Sequence, residues 1–113
     1  MGEVGMSDLN DLMKQAEVIR LKYDELNAKQ GKSTWGIRDY AMGFAGDFGD
    51  LQKLVMAKEN LRDIPDVDEK LAHELADCLW SILIIANHYG LDLDKEFKTT
   101  MAHIADRIAG ANA

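Results

Sequence analysis

The sequence predicts an all-α fold of four helices, packed as an oligomeric helical bundle or hairpin pair, and three observations predict it. No segment alternates apolar and polar residues over a useful length, so no sheet is proposed. Apolar residues recur instead at helical spacing in four stretches separated by Gly, Pro or Asp. One of these, residues 75–86, is apolar except for Asp77 and Ser81, and a helix apolar on every side is expected to be buried on every side.

The first helix is expected to start at Ser7 as N-cap, with Asp8 and Asp11 favouring the positive end of its dipole. Leu9, Leu12, Met13, Ala16, Ile19, Tyr23 and Leu26 form its apolar stripe. Gly31 ends it, and residues 31–36, Gly-Lys-Ser-Thr-Trp-Gly, form a loop. A second helix runs from about Ile37 to Asn60 and carries Gly43, Gly46 and Gly49. Each glycine costs a helix about 1 kcal/mol relative to Ala, so the three imply either a close helix contact or room for a ligand.

Pro65 marks the next boundary, and Asp66 with Glu69 makes a start resembling a capping box for the third helix. Gly90 ends that helix, and Asp92 caps a fourth carrying Leu93, Phe97, Met101, Ile104 and Ile108. Residues 110–113 are expected to fray. A length of 113 residues is expected to form one domain, 1–113.

Thirteen Lys and Arg stand against 20 Asp and Glu, a net charge of −7. Nucleic-acid backbone needs clustered cations, so no nucleic-acid partner is expected. Residues 1–7 do not resemble a signal peptide, and no apolar run reaches the roughly 20 residues of a membrane span. The single cysteine, Cys78, allows no internal disulfide and fits a reducing compartment. A cytoplasmic location without membrane association is expected.

The chemistry lies in two acidic pairs. Asp47 and Asp50 sit three residues apart on the second helix, and Glu74 and Asp77 three apart on the third, so each pair occupies one helix face. Glu74 and Asp77 are expected to point into a packed interior, where an unpaired carboxylate is costly and calls for a cation. Antiparallel helices joined by a short connector bring the pairs together. Four carboxylates offer hard oxygen ligands, which select Mg²⁺ or Mn²⁺ over zinc. Trp35 is either a packing anchor or a surface on which a base stacks. Lys53, three residues after Asp50, is either a solvated lysine or a phosphate contact. The three histidines show no metal-ligand spacing, so they are expected to be non-ligands.

These residues resemble the MazG-like nucleotide pyrophosphohydrolases, of the all-α NTP pyrophosphatase superfamily. The likeness rests on Trp35, Gly-Asp-Phe-Gly-Asp-Leu at 46–51, Lys53-Leu-Val-Met-Ala-Lys58, His73-Glu-Leu-Ala-Asp-Cys-Leu-Trp80 and Asn87-His-Tyr-Gly-Leu-Asp-Leu93. It spans residues 10–108. The resemblance implies an all-α oligomer that splits nucleoside triphosphates, non-standard or surplus ones among them, into monophosphate and pyrophosphate using Mg²⁺. It implies metal-binding and catalytic roles for Asp47, Asp50, Glu74 and Asp77, and substrate contacts from Trp35, Lys53 and Arg107.

The chain also departs from that pattern. Its first pair is Asp-x-x-Asp where the family has glutamates, and Gly46 stands where a further Glu is common. Leu71 replaces a lysine, with Lys70 one position earlier, and Thr100 and Ile104 occupy places where basic residues are frequent. A phosphoribosyl-ATP pyrophosphohydrolase-like enzyme and a non-enzymatic oligomeric interaction module are the competing expectations. The apolar third helix asks for more cover than three amphipathic neighbours supply, so a homodimer or homotetramer is expected.

Overall fold

Four helices account for the regular structure: α1 (Leu9–Lys29), α2 (Ile37–Lys58), α3 (Val67–His88) and α4 (Leu93–Asn112). The computed structural model describes residues 8–112, and no strand occurs among them. The all-α, four-helix architecture predicted from periodicity is therefore the one observed.

Helix ends show how the sequence sets these limits. Ser7 lies outside the described residues; Asp8 is the N-cap, its carboxylate accepting from the Asp11 amide at 2.9 Å. At the start of α2 the Asp39 carboxylate accepts from the Gly36 amide at 2.9 Å. Asp92 caps α4 as expected, accepting from the Lys95 amide at 3.1 Å. Gly31 and Gly90 take φ values of +68° and +65°, the left-handed turn that follows α1 and α3.

Three expectations on boundaries are corrected. The second helix stops at Lys58 rather than Asn60, because Asn60 turns to φ +64°. Asp66 does not cap α3 through its side chain. It adopts φ +55°, which asparagine and aspartate tolerate better than most residues, and only its carbonyl engages the helix, accepting from the Lys70 amide at 3.1 Å. Residues 110–112 are helical instead of frayed, and Ala113 lies outside the described residues.

Helices α2 and α3 form an antiparallel hairpin, the closest pairing in the molecule. Tyr40 meets Trp80 near its open end, and Lys58 meets Asp68 at 2.6 Å beside the connector. Helix α1 packs on α3, and α4 lies against α1. The core gathers Met13, Ala16, Tyr40, Leu83, Ile84 and Ala86 where these helices meet. Two polar groups fasten α3 to α1: Trp80 Nε1 donates to the Ala16 carbonyl at 3.2 Å, and Asn87 Nδ2 donates to the Met13 carbonyl at 2.9 Å.

The core does not enclose α3. Leu75, Leu79 and Ile82 form a stripe that remains 52%, 40% and 39% exposed. The lower half of α1 is open too, at Ile19, Tyr23 and Leu26, as are Phe97, Met101 and Ile108 on α4. The radius of gyration is 17.6 Å, against about 13 Å for a compact domain of this length. Among the described residues, no helix is long and apolar enough to cross a membrane.

Candidate metal centre

The α2–α3 hairpin brings both acidic pairs to one place. One carboxylate oxygen each from Asp47, Asp50 and Glu74 lies within 4.8 Å of the other two. Helical spacing explains this: Asp47 and Asp50 share the α2 face turned to α3, and Glu74 shares the α3 face turned back. Burial raises the Asp47 carboxyl above its ordinary range, with further upward pressure from Asp77 and Asp50. Burial raises Glu74 as well, and Asp47, Asp77 and Asp50 add to the effect. Asp47 and Glu74 therefore sit in a cluster of like charge that His73 offsets only in part.

Asp77 stands beside this group and is not one of the three. Its Oδ2 lies 3.2 Å from His73 Nε2, one turn earlier on α3. The interior position expected for Glu74 and Asp77 is corrected: both are half-buried, because their face borders the cleft opposite α2 and not the core. Cys78 behind them is buried, and burial pushes its thiol pKa up, as befits an inert packing residue.

A cavity of about 400 Å³ adjoins Asp47 and Asp77. Tyr23, Trp35, Tyr40 and Trp80 wall it, with Asn27 and Ser81 supplying polar groups. The aromatic rings form a continuous series. Trp35 meets Tyr40 edge-on with centroids 5.3 Å apart, Tyr40 meets Trp80 at 5.6 Å, and Trp80 meets Tyr23 at 5.9 Å. The first two are edge-to-face pairs, favourable beyond their burial. Trp35 thus packs against Tyr40, lines the cavity and stays half-exposed.

Lys53 borders a second cavity, shared with Asp50 and Glu74. Arg107, by contrast, is exposed on α4, a helix that packs on α1 and contributes to neither cavity. Sequence reasoning missed Tyr23, Tyr40, Trp80 as a cavity wall, and Ser81. Two of these had a signal, since Trp80 and Ser81 follow Asp77 by three and four residues and continue the acidic stripe along α3.

The oxygen set suits a small hard cation. An octahedral Mg²⁺ site with bonds near 2.1 Å spans about 4.2 Å between opposite ligands, so a slight inward movement of the three oxygens accommodates one ion. Asp47, Asp50 and Glu74 are the residues that would hold it.

Fold and site together define an all-α protein whose central hairpin faces carboxylates toward each other beside an aromatic cavity. Residues 55–109 match the family model of the MazG nucleotide pyrophosphohydrolase domain. The chain is thus similar to that family over about half of its length, with Glu74 and Asp77 inside the matched stretch and Asp47 and Asp50 just before it. No curated protein and no solved structure gives a significant match.

Proposed function

We propose that this chain is a Mg²⁺-dependent nucleoside triphosphate pyrophosphohydrolase, releasing monophosphate and pyrophosphate, with Mn²⁺ as an acceptable substitute. The observation that carries this reading is the meeting of Asp47, Asp50 and Glu74 across the hairpin of a MazG-like chain. When bound, the cation supplies charge neutralisation for the polyphosphate and a lowered pKa for water.

The chain's own residues do the rest. Asp47, Asp50 and Glu74 hold the cation, and Asp77 stands next to them, oriented by His73. Trp35 and its aromatic neighbours take the base by stacking, while Asn27 and Ser81 offer hydrogen bonds to its edge. The overall reaction is balanced simply. Water oxygen bonds to phosphorus, the bridge between the α- and β-phosphates breaks, pyrophosphate leaves with the electron pair, and a proton is released.

The same account includes a homodimer or homotetramer, supported by the exposed apolar stripes on α1, α3 and α4 and by the long, open shape of one chain. The test is pyrophosphate release from a panel of standard and modified (d)NTPs with Mg²⁺. Pyrophosphate and monophosphate in equal amounts are expected from at least one of them. Orthophosphate as the product, or no turnover of any member, contradicts the proposal.

A further inference from the structure

A third cavity, of about 1010 Å³, is lined by Glu17 and Arg20 of α1, by Trp35 of the loop and by Tyr40 of α2. Trp35 and Tyr40 line the aromatic cavity too, so these two rings border both spaces. Trp80, the next ring in the series, is tied to α1 through the Ala16 carbonyl. Tyr40 stands between the tryptophans, edge-on to both and only 4% exposed. A shift of this one ring therefore moves the wall of the aromatic cavity.

On α1, Glu17, Arg20 and Asp24 follow one another at i, i+3 and i+7 and share one face. The Arg20 guanidinium donates from Nε and Nη2 to the Glu17 carboxylate, and from Nη1 to Asp24 Oδ2 at 2.9 Å. Its planar fork is engaged on both sides, which fixes it more firmly than a single surface pair. All three side chains are partly buried. Two carboxylates already balance the one guanidinium, so little of its charge is left for an anionic ligand. Asp24 Oδ1 is buried without a hydrogen-bond partner among the described residues, so the bond from Arg20 is what holds this carboxylate. Tyr40 lies in the field of the cluster: burial pushes its hydroxyl pKa up, Asp24 adds to the rise and Arg20 opposes it.

We propose that Arg20 is a positioning residue for Tyr40: by clamping Glu17 and Asp24 on α1, it fixes the surface against which the central ring of the aromatic wall is set. Without Arg20, two partly buried acids remain together with no cation, and the ring beside them relaxes. Substrate feels Arg20 only through that ring. The effect on substrate rests on the pyrophosphohydrolase reading; the effect on the rings does not.

Arg20→Ala, Arg20→Lys, Tyr40→Phe and the Arg20→Ala/Tyr40→Phe double variant test this. Tryptophan emission of the ligand-free chain reads the rings directly, because Trp35 and Trp80 both meet Tyr40. Arg20→Ala is expected to shift the emission maximum, and Arg20→Lys, which keeps the charge without the fork, to shift it less. In turnover, Arg20→Ala is expected to raise nucleotide KM about fivefold with kcat held within about twofold, the pattern of a lost binding contact. The double variant is expected to show less than the sum of the two single effects, since residues that act through one another are not additive. Unchanged emission in both Arg20 variants overturns the proposal, whether or not the chain turns over nucleotide. An unchanged KM beside a lowered urea midpoint also overturns it, because Arg20 then serves stability alone, and so does full additivity in the double variant. Absence of turnover by the wild-type chain contradicts the pyrophosphohydrolase reading instead, and emission still decides whether Arg20 places the ring.

Discussion

Trp35 lies against α2 at Gly43, so near that a Cβ on Gly43 would come within 3.1 Å of the indole Cζ3. Of the three helical glycines on α2, only this one has a neighbour that close, since Gly46 and Gly49 have open space where a Cβ would be. Gly43 therefore lets a loop tryptophan lie flat enough to form one wall of the aromatic cavity.

Gly43→Ala separates stability from cavity shape. Alanine favours a helix interior over glycine by about 0.8–1.0 kcal/mol, and the tight ring contact offsets much of that gain. Half-exposed Trp35 is free to move by a few tenths of an ångström. Unfolding free energy is expected to stay within about 1 kcal/mol of wild type, while tryptophan emission shifts and nucleotide KM rises several-fold. Unchanged emission and KM count against Trp35 as a cavity wall.

The clustered acids predict a direction for stability against pH in the metal-free protein. Asp47 and Glu74 have carboxyl pKa values raised by burial and by neighbouring carboxylates, Asp77 and Asp50 acting on Asp47, and Asp47, Asp77 and Asp50 on Glu74. A raised folded-state pKa means that the native state holds these protons more firmly than the unfolded chain. Their contribution is complete below the ordinary carboxylate range and is lost as pH climbs from about 4 through the raised values. Urea unfolding with chelator present is expected to show Asp47→Asn at least as stable as wild type at pH 7.5. The gain is held to about 1 kcal/mol or less by solvent screening. A marked loss of stability in Asp47→Asn at that pH contradicts the repulsion.

The exposed stripe of Leu75, Leu79 and Ile82 predicts that the isolated chain does not persist. Light scattering at micromolar concentration is expected to give at least twice the 12.6 kDa chain mass. Leu79→Glu places a charge within that stripe, which an interface tolerates poorly, and is expected to lower the mass toward one chain. A monomeric wild type removes oligomerisation from the account.

Much of this was legible in the sequence, for identifiable reasons. Helix number and type followed from long periodic stretches, and the facing acidic pairs followed from i, i+3 spacing on consecutive antiparallel helices. What was not legible depended on details that spacing does not carry. Asp66 looked like a cap, yet its backbone is left-handed and its side chain makes no capping hydrogen bond to α3. Glu74 and Asp77 looked interior because their sequence neighbours are apolar, although those neighbours occupy other faces of the helix. The aromatic cavity draws Tyr23, Trp35, Tyr40 and Trp80 from α1, a loop, α2 and α3, and only tertiary packing unites them.

The proposed divalent-cation site joins Asp47 and Asp50 of α2 to Glu74 of α3 across the hairpin. Calorimetric titration of Mn²⁺ into wild type, Asp50→Asn and Glu74→Gln tests it most directly, because the two substitutions lie on different helices. The account predicts saturable binding in wild type and a loss of at least about tenfold in affinity in each variant, with the helical content of all three unchanged. Equal Mn²⁺ affinity in all three proteins, or no binding by wild type with or without nucleotide, would contradict it.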